Sequence, residues 1–266
     1  MKNILITGAS GGIGYAAACG FADSGWHVYA LDICEPKKYD NITFIKTDLT
    51  NQAQIDSAYN TVSAECTLDA ILDLAGIYIM DNFSEAEEET LNKMINVNVL
   101  AAWRVNKTFL PILKKHGKIM VVTSEVDGVK PFPFNGIYSL TKSALGAYTD
   151  ALRTELALLD IRVVKIRPGK FATELIDTSF SSMEKMKQKT KLYGRFTPRF
   201  QKIMSVFGGK ANNTDILKKK LVKIAQKKHV KACYTVRPGF FIKLYDIIPY
   251  SLGTAAIKLL LTFKNK

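Results

Sequence analysis

The chain has 266 residues, of which 47% are hydrophobic and 23% charged. This composition excludes general disorder, and the length suits one large α/β domain. The net charge is +13, and it is uneven, because residues 179 to 266 carry 20 Lys and Arg against three acids. A basic third mixed with apolar residues argues against nucleic-acid binding. It suggests a membrane surface or an acidic partner, although an ordinary lysine-rich surface gives the same pattern.

The four cysteines show no disulfide or metal-binding pattern. Cys19, Cys34, Cys66 and Cys233 lie far apart, form no CxxC pair and have no histidine nearby. We therefore expect reduced thiols and no metal site. The apolar run after Met1-Lys2 is too short for a signal peptide, which predicts a cytoplasmic protein.

The first 32 residues predict a nucleotide-binding unit. Residues 3–7 are apolar and branched, as in a buried strand, and Gly8, Gly12 and Gly14 follow them directly. A helix is predicted from Ile13 to Ser24, and a second strand over residues 26–31. Glycines let the backbone approach a pyrophosphate at the amino end of a helix, where the dipole favours negative charge.

Asp32 predicts the cofactor. It lies 18 residues after Gly14, close to the spacing at which an acid accepts the hydroxyls of the adenosine ribose. A carboxylate there would repel the 2′-phosphate of NADP, and Ile33 and Cys34 offer no cation to hold one. NAD is therefore favoured over NADP. Lys37 and Lys38 are the nearest cations that a loop could bring back to hold the phosphate.

Alternating strands and helices continue along the chain and predict one doubly wound parallel sheet of about seven strands. Strands are expected at 42–46, 68–74, 118–123, 161–166 and 231–236. Helices are expected at 52–64, 98–116, 136–159 and 214–228, with a further helix opened by the acidic residues 85–89. Ser124 follows the fifth strand, at the edge where parallel sheets bind ligands.

The helix over residues 136–159 carries Tyr138 and Lys142 on one face, because they are four positions apart. A free tyrosine titrates near pH ~10, and a nearby cation favours the phenolate. The pair could therefore move protons, although the YxxxK pattern alone is also met by chance.

Seven motifs in register resemble the short-chain dehydrogenase/reductase family, and the chain looks like a hydroxysteroid or retinol dehydrogenase of that family. They are TGASGGIG at 7–14, Asp48-Leu49, Leu74-Ala75-Gly76, Asn98 in NVNV, Ser124, YSLTK at 138–142 and PGKFAT at 168–173.

The resemblance implies a catalytic role for four residues. Tyr138 would be the general acid/base, Lys142 would lower its pKa and hold the nicotinamide ribose, Ser124 would bind the substrate oxygen, and Asn98 would hold a water beside Lys142. The implied cofactor-binding residues are Gly8, Ser10, Gly12, Ile13, Gly14, Asp32, Asp48, Leu49, Ala75, Gly76, Tyr138, Lys142, Pro168, Gly169 and Thr173.

Two positions depart from the family pattern. The usual Asn-Asn-Ala-Gly reads Asp73-Leu74-Ala75-Gly76, which removes two amides. Ser124 lies 14 residues before Tyr138, where 13 is the more common interval. Thr123 and Glu125 compete for its position, but adjacent strand residues face opposite ways, so Thr123 would point away if Ser124 points into the site.

The basic third predicts the substrate and partners. Methionines and aromatic residues over 179–210 predict a lid over a lipophilic, steroid-like or retinoid-like substrate, or simply two packed helices. Residues 1–237 form the predicted dehydrogenase domain and 238–266 an apolar and basic C-terminal extension. This extension could pack on the core, form a contact in a homodimer or homotetramer, or touch a membrane surface peripherally.

The leading functional hypothesis is an NAD-dependent oxidoreductase that interconverts a secondary alcohol and a ketone on a lipophilic substrate. An NADPH-dependent reductase of a ketoacyl thioester is one alternative. A non-catalytic nucleotide-binding scaffold is the other, because fold does not fix function.

Overall fold

A computed structural model describes residues 1–207 and 210–262, and the side chains of residues 174–177 and 205–207 are left out of the description. Its centre is a seven-stranded sheet in the order β3-β2-β1-β4-β5-β6-β7, in which every pairing is parallel. The strands are β1 Lys2–Thr7, β2 Trp26–Asp32, β3 Ile42–Lys46, β4 Leu68–Asp73, β5 Leu113–Val122, β6 Arg162–Pro168 and β7 Cys233–Val236. The predicted doubly wound fold is confirmed.

Apolar side chains of the strands cover both faces of the sheet. Ile4 and Ile6 enter one core and Leu5 the other, because successive strand residues point to opposite faces. The first core packs under helices α1 (Gly12–Asp23) and α8 (Thr214–Gln226). The second packs under α2 (Gln52–Glu65), α4 (Ala101–Phe109) and α5 (Gly136–Ala157). Helices therefore shield the sheet on both sides, as a parallel sheet requires.

The predicted helix over 98–116 is wrong in its extent. Helix α3 (Glu88–Ile95) runs through a π turn at Asn96–Leu100 into α4, and a 3-10 turn at Leu110–Ile112 follows. Pro111 has no amide hydrogen to continue a helix, so the helical hydrogen bonds stop there. Strand β5 accordingly begins at Leu113, and His116 adopts a positive φ of 63° at the irregularity in its register.

The basic third forms helices around strand β7. Helices α6 (Glu174–Lys189) and α7 (Thr197–Phe207) lie between β6 and α8 in sequence. After β7, α9 (Phe240–Ile247) and α10 (Tyr250–Thr262) form the C-terminal segment. Among the described helices, none is long and apolar enough to cross a membrane.

Candidate active site

The glycine turn after β1 is a cradle made of backbone. Gly8 has a φ of +66°, and a Cβ there would lie 2.8 Å from Ala75 Cα. A Cβ on Gly14 would lie 1.8 Å from the carbonyl oxygen of Gly8. Any side chain at either position would push the turn apart. The absence of side chains leaves room for a phosphate-bearing ligand at the start of α1, so the residues present fit a dinucleotide cofactor.

Asp32 at the end of β2 lies over this turn. One carboxylate oxygen accepts the Ser10 amide at 2.9 Å, and the other accepts the amides of Ile33 at 2.7 Å and Cys34 at 3.3 Å. The three amide donors fix the orientation of the carboxylate. The negative charge expected to select NAD is therefore held at the mouth of the glycine turn.

Two further loops complete this end of the site. Asp48 caps the loop after β3, where its carboxylate accepts the amide and hydroxyl of Thr50. Thr173, in the loop after β6, packs over the glycine turn, since a Cβ on Gly12 would lie 3.2 Å from Thr173 Cγ2. The Thr173 contact brings the loop after β6 against the turn after β1, as expected for a site at the edge of a parallel sheet.

Tyr138 and Lys142 lie on one buried face of α5. The Lys142 Nζ atom is 5.9 Å from the centre of the Tyr138 ring and 3.4 Å from the carbonyl oxygen of Val122, to which it donates. Ser124, at the end of β5, hydrogen bonds with Tyr138. The structure thus brings the three predicted residues together from two neighbouring elements.

Burial dominates the protonation of this pair. Desolvation raises the pKa of Tyr138 to about 12; the hydrogen bond from Ser124 opposes this rise and the Glu125 carboxylate adds to it. Desolvation also lowers the pKa of Lys142 to about 8, although the Asp127 carboxylate favours its charged form. The expected net lowering of the tyrosine pKa is therefore wrong here, because burial disfavours both the phenolate and the ammonium that would stabilise it.

Asn98 lies behind the cavity rather than on its wall. Its amide oxygen accepts the Ile77 amide at 2.7 Å, and its amide nitrogen donates to the Ile77 carbonyl at 2.9 Å and to Thr141 at 3.0 Å. A Cβ added to Gly76 would lie 3.3 Å from Asn98 Oδ1 and 3.4 Å from Lys142 Nζ. Asn98 therefore clamps the loop after β4 beside Lys142.

Thr123 and Ser124 face different surroundings. Thr123 donates to Asp127 Oδ2 at 3.1 Å. Ser124 accepts the Val126 amide at 3.3 Å and contacts Tyr138. The hydroxyl of Thr123 is thus engaged away from Tyr138, and Ser124 is the residue presented to the tyrosine.

The predicted site residues except Asn98 open onto one cavity of about 1550 Å³. Every predicted cofactor-binding residue lines it. Apolar side chains make up much of the remaining wall. They are those of Tyr78, Met80, Phe132, Phe180, Phe200, Met204, Phe240, Phe241, Ile242, Ile257, Leu260 and Leu261.

Sequence reasoning missed two neighbours of Tyr138. The ring of Tyr78 lies 4.2 Å from that of Tyr138 and is tilted by 33°. Glu125 accepts the amide of Gly239 at 2.5 Å, at the start of α9, and burial raises the pKa of its carboxyl. The sequence analysis considered Glu125 only as an alternative to Ser124. Nothing in the local sequence marks Tyr78, because its contact, Tyr138, is distant in the chain.

Asp73, which stands where the family pattern has asparagine, contacts the buried Asn106 side chain on α4. Asp73 Oδ2 accepts from Asn106 Nδ2 at 2.8 Å, and the same nitrogen is 3.2 Å from the Tyr148 hydroxyl. Asp73 Oδ1 and Asn106 Oδ1 have no hydrogen-bond partner among the described residues. Desolvation raises the pKa of Asp73 to about 7, while the hydrogen bond from Asn106 opposes the rise.

Comparison with known proteins agrees with this geometry. The family model described as short chain dehydrogenase matches residues 2–184, which is well over half of the chain. This chain is a short-chain dehydrogenase. Members of this family are oxidoreductases that bind NAD or NADP and act on small substrates, and they are commonly oligomeric.

Two curated relatives of this short-chain dehydrogenase illustrate its range. A probable short-chain type dehydrogenase/reductase, VdlC, of Helicobacter pylori is 28% identical over 98% of both chains. A 3-ketodihydrosphingosine reductase of Bacteroides thetaiotaomicron is 30% identical over 65% of both.

Solved structures share the fold along most of the chain. A 3-ketoacyl-(acyl-carrier-protein) reductase from Brucella melitensis complexed with NADH has a TM-score of 0.73 at 24% identity, covering 90% of this chain and 97% of that one. ElxO with NADP bound has a TM-score of 0.74 at 25% identity, covering 91% and 99%. The fold therefore accommodates either cofactor, so the choice depends on local side chains.

Proposed function

We propose that this short-chain dehydrogenase interconverts a secondary alcohol and a ketone on a lipophilic substrate, with NAD as the preferred cofactor. The observation that carries the proposal is the cavity, whose wall combines Ser124, Tyr138 and Lys142 with the glycine turn and with many apolar side chains. A few polar catalytic groups in a cavity lined mainly by apolar side chains suit a large apolar substrate that carries one hydroxyl or carbonyl group.

The catalytic roles follow from the contacts of this chain's own residues. Tyr138 exchanges a proton with the substrate oxygen, and Ser124 donates a hydrogen bond to the same oxygen. Lys142 is close enough to favour the phenolate whenever it is charged, and Asn98 supports the loop beside it. A nicotinamide cofactor, when bound, would supply or accept the hydride.

The protonation state of Tyr138 supports reduction as the readier direction. With a pKa raised to about 12, the phenol carries its proton at neutral pH and can donate it to a carbonyl oxygen. Oxidation of an alcohol first requires that proton to leave. The Bacteroides relative is named a 3-ketodihydrosphingosine reductase, and a reductase is consistent with this direction.

NAD is proposed over NADP because of Asp32. Three backbone amides hold its carboxylate at the end of β2, where a 2′-phosphate would meet a fixed negative charge. The remaining predicted cofactor-binding residues are proposed to act as backbone and loop contacts around the same cavity.

The lid and the C-terminal segment are proposed to enclose the substrate. Met80, Phe134, Met183, Met186 and Phe200 form one buried apolar cluster, and Leu261 of α10 packs against it. Residues 1–237 would then be the dehydrogenase domain, with 179–210 as its lid. Residues 238–266 would be an extension that closes the apolar end of the cavity.

An oligomer, a homodimer or homotetramer, is also proposed. Three large apolar side chains are exposed on neighbouring helices, although such side chains favour burial. They are Leu100, just before α4, Trp103 on α4 and Leu140 on α5. Light scattering after size exclusion would measure the assembly. We expect a mass that falls to that of one chain when Trp103 and Leu140 are replaced by Glu, and a native monomer would contradict this.

A substrate panel tests the proposed function. Lipophilic secondary alcohols and ketones of increasing chain length, offered with either cofactor, should produce a change in nicotinamide absorbance with NAD or NADH. The value of kcat/KM should rise with chain length, because each buried methylene adds about 0.8 kcal/mol of transfer free energy. Equal turnover of short polar and long apolar substrates would contradict the proposal.

A further inference from the structure

The C-terminal segment presents an open apolar face. In α9 no residue is buried, and in α10 only Gly253 is. Ile247 is 81% exposed, Phe240 71% and Leu252 61%. Eight of the exposed large hydrophobic side chains of the described residues lie between 240 and 260. The segment covers the core only in part, and its exposed apolar face needs an occupant.

One side of the segment is fixed to the body of the protein, which sets the direction of the open face. The Tyr245 ring stacks on Phe132 at 4.5 Å between centres. Lys130 Nζ donates to the carbonyls of Asp246, at 2.7 Å, and Ile248. Ile242 packs against the cluster that contains Tyr138. The helices are thus attached along one side and present the other to solvent.

Charge favours a lipid surface over a second copy of the chain. Lys243 and Lys258 are exposed beside the apolar face, and Lys264 and Lys266 follow in the sequence. The one acid of residues 238–266 is Asp246, whose carboxylate accepts the Lys130 amide at 3.4 Å. A second copy would bring a third of the chain that is just as basic. Anionic headgroups complement the lysines, and the apolar side chains fit the layer beneath them.

The same helices also form a wall of the catalytic cavity. Phe240, Phe241 and Ile242 of α9 and Ile257, Leu260 and Leu261 of α10 line it. Phe240, Phe241 and Leu260 both line the cavity and are exposed, so they lie at its rim. Ile247, Leu252 and Leu259 are exposed and do not line it, so they form the outer face. If the outer face rests on a bilayer, an apolar substrate can pass between lipid and cavity without crossing water.

We propose that α9 and α10 dock this protein onto an anionic lipid surface, so that the apolar end of the catalytic cavity opens at the membrane. The lipophilic substrate in this inference rests on the proposed function, whereas the docking itself does not.

Vesicle flotation of the full chain tests the docking. The probes are vesicles of phosphatidylcholine alone and of phosphatidylcholine with about a third phosphatidylglycerol. We expect binding to the anionic vesicles, and at least tenfold weaker binding to the neutral ones and at high salt. No binding of the intact protein to anionic vesicles would overturn the proposal.

Matched variants locate the contact. Ile247→Ser, Leu252→Ser and Leu259→Ser combined should weaken binding at least tenfold, and so should Lys243→Gln with Lys258→Gln. Leu158→Ser with Leu159→Ser is the control, because these side chains are exposed on another part of the surface. Loss of binding in the control to the same extent would overturn the assignment of the face.

Two further measurements separate other outcomes. Light scattering without lipid would detect a dimer held by α9 and α10, and an oligomer abolished by the Ser variants would overturn the lipid assignment. NADH binding in the absence of vesicles should be unchanged in every variant. A protein that binds vesicles but no NADH would leave docking intact and contradict the proposed function, so the two failures are distinguishable.

Discussion

The carboxylate of Glu125 accepts the backbone amide of Gly239 at 2.5 Å, which joins the residue after Ser124 to the start of the last two helices. The same carboxylate raises the pKa of Tyr138. The C-terminal segment is therefore connected to the proposed proton donor, Tyr138, through the Glu125 side chain. A change at Glu125 or at Gly239 should alter the pKa of Tyr138.

Glu125→Gln should lower the pKa of Tyr138, because the amide can still accept from Gly239 but no longer carries the charge that disfavours the phenolate. The acid limb of the pH profile for alcohol oxidation should move to lower pH by roughly half a unit to one unit. The pH dependence of kcat/KM measures this. Glu88→Gln, an exposed acid at the start of α3, is the control and should leave the profile unchanged. A shift to higher pH would contradict the role given to Glu125.

Asp32→Asn should relax cofactor selection, because an asparagine keeps one of the two accepting oxygens but lacks the charge that repels a phosphate. The ratio of the dissociation constants of NADPH and NADH should fall about tenfold, which corresponds to ~1.4 kcal/mol. Calorimetric titration of both cofactors measures it, with the nearby exposed Asp40→Asn as control. Equal affinity of the unaltered protein for the two cofactors would refute selection by Asp32.

Asp73→Asn should stabilise the fold at alkaline pH. The folded pKa of Asp73, about 7, lies above the value of ~3.9 expected in an unfolded chain. Between these values the unfolded chain holds fewer protons, so stability decreases as pH rises through this window and the cost is complete above it. An asparagine removes that cost and can donate to Asn106 Oδ1, which has no partner in the described structure.

The gain should be on the order of a few kcal/mol near pH 8 and smaller near pH 5, since about 1.4 kcal/mol accompanies each unit of pKa shift. Denaturant unfolding at both pH values measures it. Asp69 lies on the same strand as Asp73 and is a part-exposed acid paired with Lys114 of β5. Asp69→Asn should therefore show no such gain at pH 8. A variant equally stabilised at both pH values would contradict the titration of Asp73.

Much of the fold was predictable because its signals are local. Short branched runs before Gly8 and Ser124 marked buried strands, and the spacing of Tyr138 and Lys142 placed both on one helix face. The extent of the helix around Asn98 was not predicted correctly. Its end at Pro111 is a local signal that the predicted helix ran through, because proline has no amide hydrogen. The π turn over residues 96–100 contacts α5, which is distant in the sequence. Tyr78 and Gly239 could not be found either, because their contacts join positions distant in the sequence.

The direction of the Tyr138 pKa shift could not be predicted from the sequence either. Spacing identified the nearby cation, but the shift depends on how completely the pair is buried, and only the structure gives that. Desolvation acts on both residues, so the neighbour that would stabilise the phenolate is partly neutral itself near its pKa of about 8.

The most direct test of the account compares the unaltered protein with Tyr138→Phe, using NADH and a long-chain apolar ketone. The phenylalanine keeps the ring that packs against Tyr78 but has no proton to donate. We predict that kcat falls by ~10²-fold to 10⁴-fold while the affinity for NADH, measured by fluorescence, changes less than twofold. Full turnover of the ketone by the Tyr138→Phe variant would contradict Tyr138 as the proton donor and with it the proposed function.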